Sequence, residues 1–412
     1  MEKIGLVLSG GGSKGAYEAG VYKALRKLKI KPNIVTGTSI GAVNGMMVTQ
    51  KNYYKLRKFW NTISFSVMYK EEEFPSMEDP NLGEIYAQYA KAFLNGGGLD
   101  ITKLKKLFDY YYSPKRFFGS DIDYGVVTFN LTKRKPVIKT KKELTEKEVK
   151  DYVIASASCY PAFKPYKIGK DLYVDGGYYD NLPINLAIDL GATKIIAVDL
   201  RAIGLKKKTK DESVEVTYIA PRNKIASFLI FDKKYAKEAI KFGYNDTMKT
   251  FKKLDGDKFT FRRHNLIKNY NKYNDYYEEN LNIIFNGIKN KLLSNILEAP
   301  IIKETIERQI EYKNFNTVVE TAGKIFKFDE SNIYSINSYN KGLINELSNT
   351  KAIDIDMIKE KIIDRKIRKI IDERQIVKYF YECIIKQDRS MLKFIIPFKN
   401  EFLTALYIYT VK

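Results

Sequence analysis

The five residues Gly37-Thr38-Ser39-Ile40-Gly41 constrain this chain more than any other stretch. They follow the apolar run Asn33-Ile34-Val35-Thr36, which suits a buried strand. They open Ile40-Gly41-Ala42-Val43-Asn44-Gly45-Met46-Met47, which suits a helix rich in small residues. Strand, G-x-S-x-G and helix in that order is the context of a nucleophile elbow, a sharp turn that holds a serine hydroxyl at the carboxyl end of a sheet and the amino end of a helix. Gly37 and Gly41 leave room for the tight backbone. An ordinary strand-to-helix turn with a capping serine fits the same five residues, so the rest of the chain has to decide.

Upstream lies a second unit of the same kind. Ile4–Leu8 reads as a strand, Ser9-Gly10-Gly11-Gly12-Ser13-Lys14-Gly15 as a loop, and Ala16 to Leu28 as a helix with Val21, Leu25 and Leu28 on one face. A strand-helix-strand-helix opening implies a parallel sheet covered on both faces. Gly10, Gly12 and Gly15 match the dinucleotide-binding spacing, which raises a rival: a nucleotide- or phosphate-binding regulatory module that uses the Gly10–Gly15 loop without catalysis. That fingerprint also requires an acidic residue at the end of the second strand, yet no Asp or Glu occurs between Ala19 and Lys70. Backbone N–H groups of consecutive glycines ahead of a helix can instead hold the oxyanion formed when a serine attacks an ester. Lys14 adds a charge beside that loop, suited to a lipid phosphate or simply to solvent.

A serine hydroxyl needs a base. The single histidine, His264, lies in Arg262-Arg263-His264-Asn265, beyond the α/β pattern, and reads as a surface or capping residue. A carboxylate must then serve, and Asp175 in Leu172-Tyr173-Val174-Asp175-Gly176-Gly177 is the candidate. Asp-Gly between apolar residues is equally a hairpin-turn signal. Gly176 and Gly177 would allow the close backbone approach that a buried pair needs, and desolvation would raise the basicity of the carboxylate.

The three motifs, Gly10-Gly11-Gly12-Ser13-Lys14-Gly15, Gly37-Thr38-Ser39-Ile40-Gly41 and Asp175-Gly176-Gly177, stand in the order found in patatin-like phospholipases, and the chain resembles that family over about residues 4–251. Ala155-Ser156-Ala157-Ser158 before Pro161, Asn181-Leu182-Pro183, and Gly191-Ala192 before Ile195–Leu200 agree with it. The resemblance implies a Ser39–Asp175 dyad and an oxyanion hole lined by Gly10, Gly11 and Gly12. It further implies substrate contacts at Lys14 and Gly15, hydrolysis of phospholipid or lysophospholipid acyl esters through an acyl-enzyme, and no metal or cofactor. Lys14 stands where arginine is common, which keeps the charge and loses the bidentate fork.

The implied fold is α/β: a three-layer α/β/α sandwich with a mainly parallel sheet in residues 1–255, followed by a mainly helical accessory region, 256–412, without a catalytic motif. Strands are expected at Tyr124–Phe129, Pro136–Lys139, Leu172–Val174 and Lys194–Leu200. Helices are expected at Glu146–Ser156, Pro183–Leu190 and from Tyr218 to Phe251. The aromatic stretch from Lys51 to Tyr112 suits helical packing or a cover over an acyl-chain pocket. Ile358, Ile362, Ile363 and Ile367 to Ile371 suggest a helical face, and Met391–Val411 a terminal helix for the core or a membrane surface. Cys159 and Cys383 form no disulfide framework, and no run is long enough to span a membrane. The expectation is a cytoplasmic protein, at most peripheral at a membrane. The net charge of +22, densest at Lys206-Lys207-Lys208-Thr209-Lys210, comes without a nucleic-acid-binding signature; it fits an anionic lipid surface or plain compositional bias. Oligomeric state is left open.

Overall fold

A central strand with a partner on each side organises the first half of the molecule. The computed structural model describes residues 2–68, 82–100, 102–289, 312–354 and 372–412. Its contacts divide the chain into two units, Met1–Thr250 and Phe251–Lys412.

In the first unit, strands β1 (Ile4–Leu8), β2 (Ile34–Thr38), β3 (Asp123–Asn130), β4 (Lys135–Thr140), β5 (Tyr166–Ile168), β6 (Asp171–Asp175), β7 (Lys194–Val198) and β8 (Glu215–Ile219) form one sheet. The order is β5-β6-β3-β2-β1-β7-β8, with β4 also paired to β3. Pairs β1–β2, β2–β3, β1–β7 and β7–β8 are parallel, whereas β4 and β6 run antiparallel to β3. The chain leaves β1 to one side through β2 and returns on its other side as β7. That makes the carboxyl ends of β1, β2 and β7 a topological switch point, where open α/β sheets bind ligands.

The helices are α1 (Ala16–Lys27), α2 (Ile40–Thr49), α3 (Tyr53–Thr62), α4 (Phe65–Met68), α5 (Leu82–Gly96), α6 (Thr102–Tyr111), α7 (Pro114–Phe118), α8 (Glu146–Ser156), α9 (Ile184–Asp189) and α10 (Lys233–Thr250). Alternation along the strands assigns the two faces. Gly5 and Gly125 abut Ala187, Ala192 and Leu186 on the α9 side, while Leu8, Val35 and Tyr124 meet Gly45 of α2. Helices therefore cover both faces, which is the three-layer sandwich. Thr145 and Glu148 close α8 at its start with a capping box. The segment from Tyr218 does not begin as a helix: Glu215–Ile219 pairs with β7 as an edge strand, and the helix starts only at Lys233. A Glu-Val-Thr-Tyr-Ile run with three β-branched residues favours the strand.

The second unit contains α11 (Asn265–Lys289), α12 (Tyr312–Ile325), α13 (Ile336–Ser348), α14 (Glu373–Lys386) and α15 (Lys399–Val411), with a small sheet ordered β11-β10-β9. Here β9 is Leu254–Asp255, β10 is Thr260–Arg262 and β11 is Ile333–Tyr334. Because β9 pairs with β10, Leu254 and Asp255 belong to this unit. Phe402, Leu406, Tyr407 and Ile408 of α15 are fully buried, and α15 packs on α11, α12 and α14. The apolar tail is therefore a core helix. The isoleucine-rich stretch from 358 to 371, like Pro75 and Pro80, lies outside the described residues.

Candidate active site

Ser39 sits between β2 and α2 with φ 58° and ψ −128°, a conformation that costs an L-residue about 1–3 kcal/mol and needs support from its surroundings. The support is visible. The Ser39 N–H donates to Ser156 Oγ at 2.8 Å, and that hydroxyl donates onward to the Val127 carbonyl of β3 at 2.6 Å. Thr38 Oγ1 donates to the Asp180 carbonyl at 2.7 Å. A Cβ on Gly37 would lie 2.3 Å from the Gly41 carbonyl, and one on Gly41 would lie 2.3 Å from that of Leu8. Only glycine permits that crossing of backbones.

Asp175 arrives from a different direction. Its strand β6 enters the sheet antiparallel to β3, with Asp175 opposite Thr128, while Thr38 lies opposite Val127. The two registers bring the end of β6 level with the end of β2. Asp175 lines the same cavity as Ser39, whose hydroxyl is among the groups that draw its pKa down, and the Gly177 N–H donates to its Oδ1 at 2.8 Å. The residue is buried, and burial pushes its pKa up to about 6, the two hydrogen bonds pulling the other way. Gly176 is pressed against the Val127 carbonyl, 2.2 Å from a Cβ position, so the turn cannot carry a side chain there. After Asp175 the chain makes a 3-10 turn over Gly176–Tyr178, and β6 hairpins with β5 before it, so Asp175-Gly176 is not a hairpin turn.

The glycine loop divides its duties. The Gly10 N–H donates to the Asn181 carbonyl at 3.1 Å and so is already committed within the protein. Gly11 and Gly12 line a cavity together with Ser39 and Asp175; among the described residues their N–H groups have no acceptor inside the protein. Gly12 has φ 56°, and a Cβ on it would strike the Phe228 carbonyl at 2.1 Å. Ser13 fixes the loop through its N–H to Phe228 O at 2.8 Å and its hydroxyl to Ser227 O at 2.8 Å. Past that anchor the chain turns away from the cavity. Lys14 borders a separate small recess with Trp60 and Ala236, and Gly15 is wedged against Ile40 and Trp60. Burial lowers the pKa of Lys14, with Asp199 opposing. Neither residue lines the cavity that holds Ser39 and Asp175.

That cavity has a volume of about 820 Å³ and is mostly apolar, within the size range of small-molecule sites. Phe59, Met68, Tyr89, Phe93 and Leu104, from α3 to α6, form part of its wall. The aromatic stretch after residue 51 therefore walls the cavity and also packs the core through Trp60 and Tyr111. Cys159 lies in the wall too, its thiol pushed up to about 12 by burial and by the charge of Asp175, hence inert. His264 is an exposed residue of the second unit, just ahead of α11. Among the described residues no group of three or more His, Cys, Asp and Glu could hold a metal ion.

Two supporting residues carry no chemical signature in the sequence. Ser156 and Asn181 matter only because the end of α8 and the loop after β6 fold beside the elbow; the family motif marks them, and their residue type does not. A buried network behind the loop is also unannounced. Glu18 Oε2 accepts from Asn44 Nδ2 at 2.7 Å, and Asn44 Oδ1 accepts from Trp60 Nε1 at 2.9 Å. Burial raises the pKa of Glu18 well above the usual range. A lone acid on the otherwise apolar face of α1 is the signal that could have marked it.

Residues 6–188 match the family model of patatin-like phospholipases. Over this stretch the chain is similar to that family. The patatin-like phospholipase domain-containing protein 7 of Rattus norvegicus is 29% identical over 202 residues, which is 48% of this chain and 13% of that protein. The lysophospholipase nte1 of Aspergillus terreus (strain NIH 2624 / FGSC A1156) is 28% identical over 206 residues, 48% of this chain and 12% of that protein. The chain thus spans about an eighth of the length of these curated relatives. VipD from Legionella pneumophila, a solved structure, aligns over 99% of this chain and 90% of its own at 15% identity, with a TM-score of 0.41.

Proposed function

We propose that the patatin-like domain hydrolyses acyl esters of phospholipids or lysophospholipids through a Ser39–Asp175 dyad. The observation that carries this reading is that the strained elbow residue Ser39 and the buried carboxylate Asp175, its pKa raised to about 6, line one apolar cavity together with the glycine loop. Ser39 Oγ attacks the ester carbonyl while Asp175 accepts its proton. The N–H groups of Gly11 and Gly12 stabilise the tetrahedral oxyanion. Asp175 returns the proton to the leaving alcohol, and an acyl-enzyme remains on Ser39. Asp175 then removes a proton from water as it attacks the acyl-enzyme, and when the second tetrahedral intermediate collapses it returns that proton to Ser39 Oγ, freeing the fatty acid and restoring the dyad. A base with pKa about 6 is ionised at neutral pH and still basic enough to share the proton in the transition state.

Gly10 serves the oxyanion only indirectly, by fixing the loop to Asn181. The phosphate-binding alternative gains nothing from the geometry: β2 ends in the elbow with no acidic residue, and Lys14 stands outside the cavity. The deciding experiment is labelling with a fluorophosphonate probe. Label is expected on Ser39, with Ser39→Ala abolishing both label and release of fatty acid from lysophosphatidylcholine while the melting transition is retained. Hydrolysis surviving in folded Ser39→Ala protein overturns the proposal.

A further inference from the structure

The cavity opens beside a loop with unusual exposure. Ile203 is 94% exposed and Leu205 63% exposed, and both border the cavity that holds Ser39. Soluble proteins leave single apolar residues at the surface without consequence, but here others gather around the same opening. Tyr86 and Phe93 of α5 and Tyr178 beyond Asp175 border it and are at least a third exposed, and Leu94, next to Phe93, is 81% exposed. A contiguous exposed apolar rim around a binding cavity is the mark of an interaction surface.

The loop is held, not loose. The Leu205 N–H donates to the Gly177 carbonyl at 2.9 Å, and the Leu205 carbonyl accepts from the Asn181 N–H at 2.5 Å. These anchors are the residues that flank Asp175 and steady the glycine loop. Gly204, with φ 153°, approaches Asn181 so closely that a Cβ would stand 2.7 Å from its side chain. The backbone around Ile203 is thus pinned to the active-site turn while its side chain stands in water.

Lysines 206, 207, 208 and 210 follow at once. Lys206 pairs with Asp199 at 2.6 Å, Lys208 with Glu212 at 3.2 Å, and Lys210 with Asp189; Lys207 lies over the Tyr179 ring at 3.7 Å. The pairs of Lys208 and Lys210 stand at exposed positions, where such pairs are weak and readily exchanged. The chain as a whole carries +22.

The geometry points to an anionic phospholipid bilayer as the partner of this rim. Ile203 and Leu205 enter the acyl region, with the exposed aromatic and apolar residues of α5 beside them, and the lysines meet lipid phosphates at the headgroup level. The cavity mouth then faces the bilayer, so a lipid reaches Ser39 without crossing water. This rests on the reading of the cavity as a lipid acyl site, but its test does not use catalysis.

The full chain carrying Ser39→Ala is mixed with phosphatidylserine–phosphatidylcholine vesicles or with pure phosphatidylcholine vesicles, and binding is read by co-sedimentation. Binding is expected to favour the anionic vesicles and to weaken with added salt. Ile203→Glu and Leu205→Glu should each weaken it about ten- to a hundredfold, because one side chain's burial is lost in each. The exposure of both positions argues against a folding defect, and an unchanged melting transition checks that. Wild-type affinity in both glutamate variants, or no vesicle binding at all, overturns the docking. Self-association that Ile203→Glu abolishes, without vesicle binding, overturns it too and assigns the rim to a second copy of the chain. Failure of the hydrolase reading shows separately, as absence of fluorophosphonate label in the unmodified chain.

Discussion

Replacing Asp175 with asparagine tests the dyad on stability and rate at once. Burial raises the Asp175 pKa from 3.8 to about 6, so keeping it ionised in the folded state at neutral pH costs about 3 kcal/mol at 1.36 kcal/mol per pKa step. The sign follows from proton counts. Between about pH 4 and 6 the folded state holds a proton that the unfolded state has lost, so stability falls as pH rises through that window. Asparagine cannot ionise. Its carbonyl can still accept from the Gly177 N–H, and its amide can donate to Ser39 Oγ, which turns from donor to acceptor. Asp175→Asn is therefore expected to be more stable than the unmodified protein above about pH 7, by up to about 3 kcal/mol, and no more stable below about pH 4. Denaturant titrations at the two pH extremes measure the difference. The same substitution removes the proposed base and should lower kcat/KM for a soluble short-chain ester at least about a thousandfold. In the unmodified enzyme kcat/KM should fall about tenfold per pH unit below about pH 6. Asp180 is also raised to about 6 by burial, but its carboxylate accepts from the Leu182 N–H and not from Ser39; Asp180→Asn should leave the limb in position. An Asp175→Asn protein that is less stable at high pH, or that keeps its rate, would refute the assignment.

Other positions give sharper or flatter responses. Ser156→Ala removes the acceptor for the strained Ser39 N–H, so a loss of about 1–3 kcal/mol in stability should accompany a fall in kcat larger than any change in KM; an unaltered kcat in a soluble-ester assay counts against the role given to Ser156. Gly12→Ala forces a side chain at φ 56° against the Phe228 carbonyl, and a melting transition lowered by the equivalent of at least about 1 kcal/mol is expected, together with loss of fluorophosphonate labelling. His264→Ala should leave hydrolysis within about twofold of the unmodified rate, as surface substitutions usually do; a loss of orders of magnitude with normal melting would restore a histidine base.

Residue order along the chain determined much of this protein. Short apolar runs ending in glycine-rich turns, each followed by a helix-forming segment, require strands that enter helices at one edge of a parallel sheet. That is why β1 with its glycine loop and β2 with its elbow were legible, and why the family motif could mark Ser39 and Asp175. The strand at Glu215–Ile219 was not, because an edge strand half open to water carries too weak a pattern to outweigh the helical residues after it. Three matters belonged to the tertiary structure alone. The pairings Thr38–Val127 and Thr128–Asp175 decide that Ser39 and Asp175 meet, since register between strands distant in sequence has no local trace. The turn pinned at Ser13 decides that Gly11 and Gly12 face the cavity while Lys14 and Gly15 do not. The pKa of Asp175 depends on desolvation by residues drawn from β2, β3 and β6, and burial exists only once those strands are side by side.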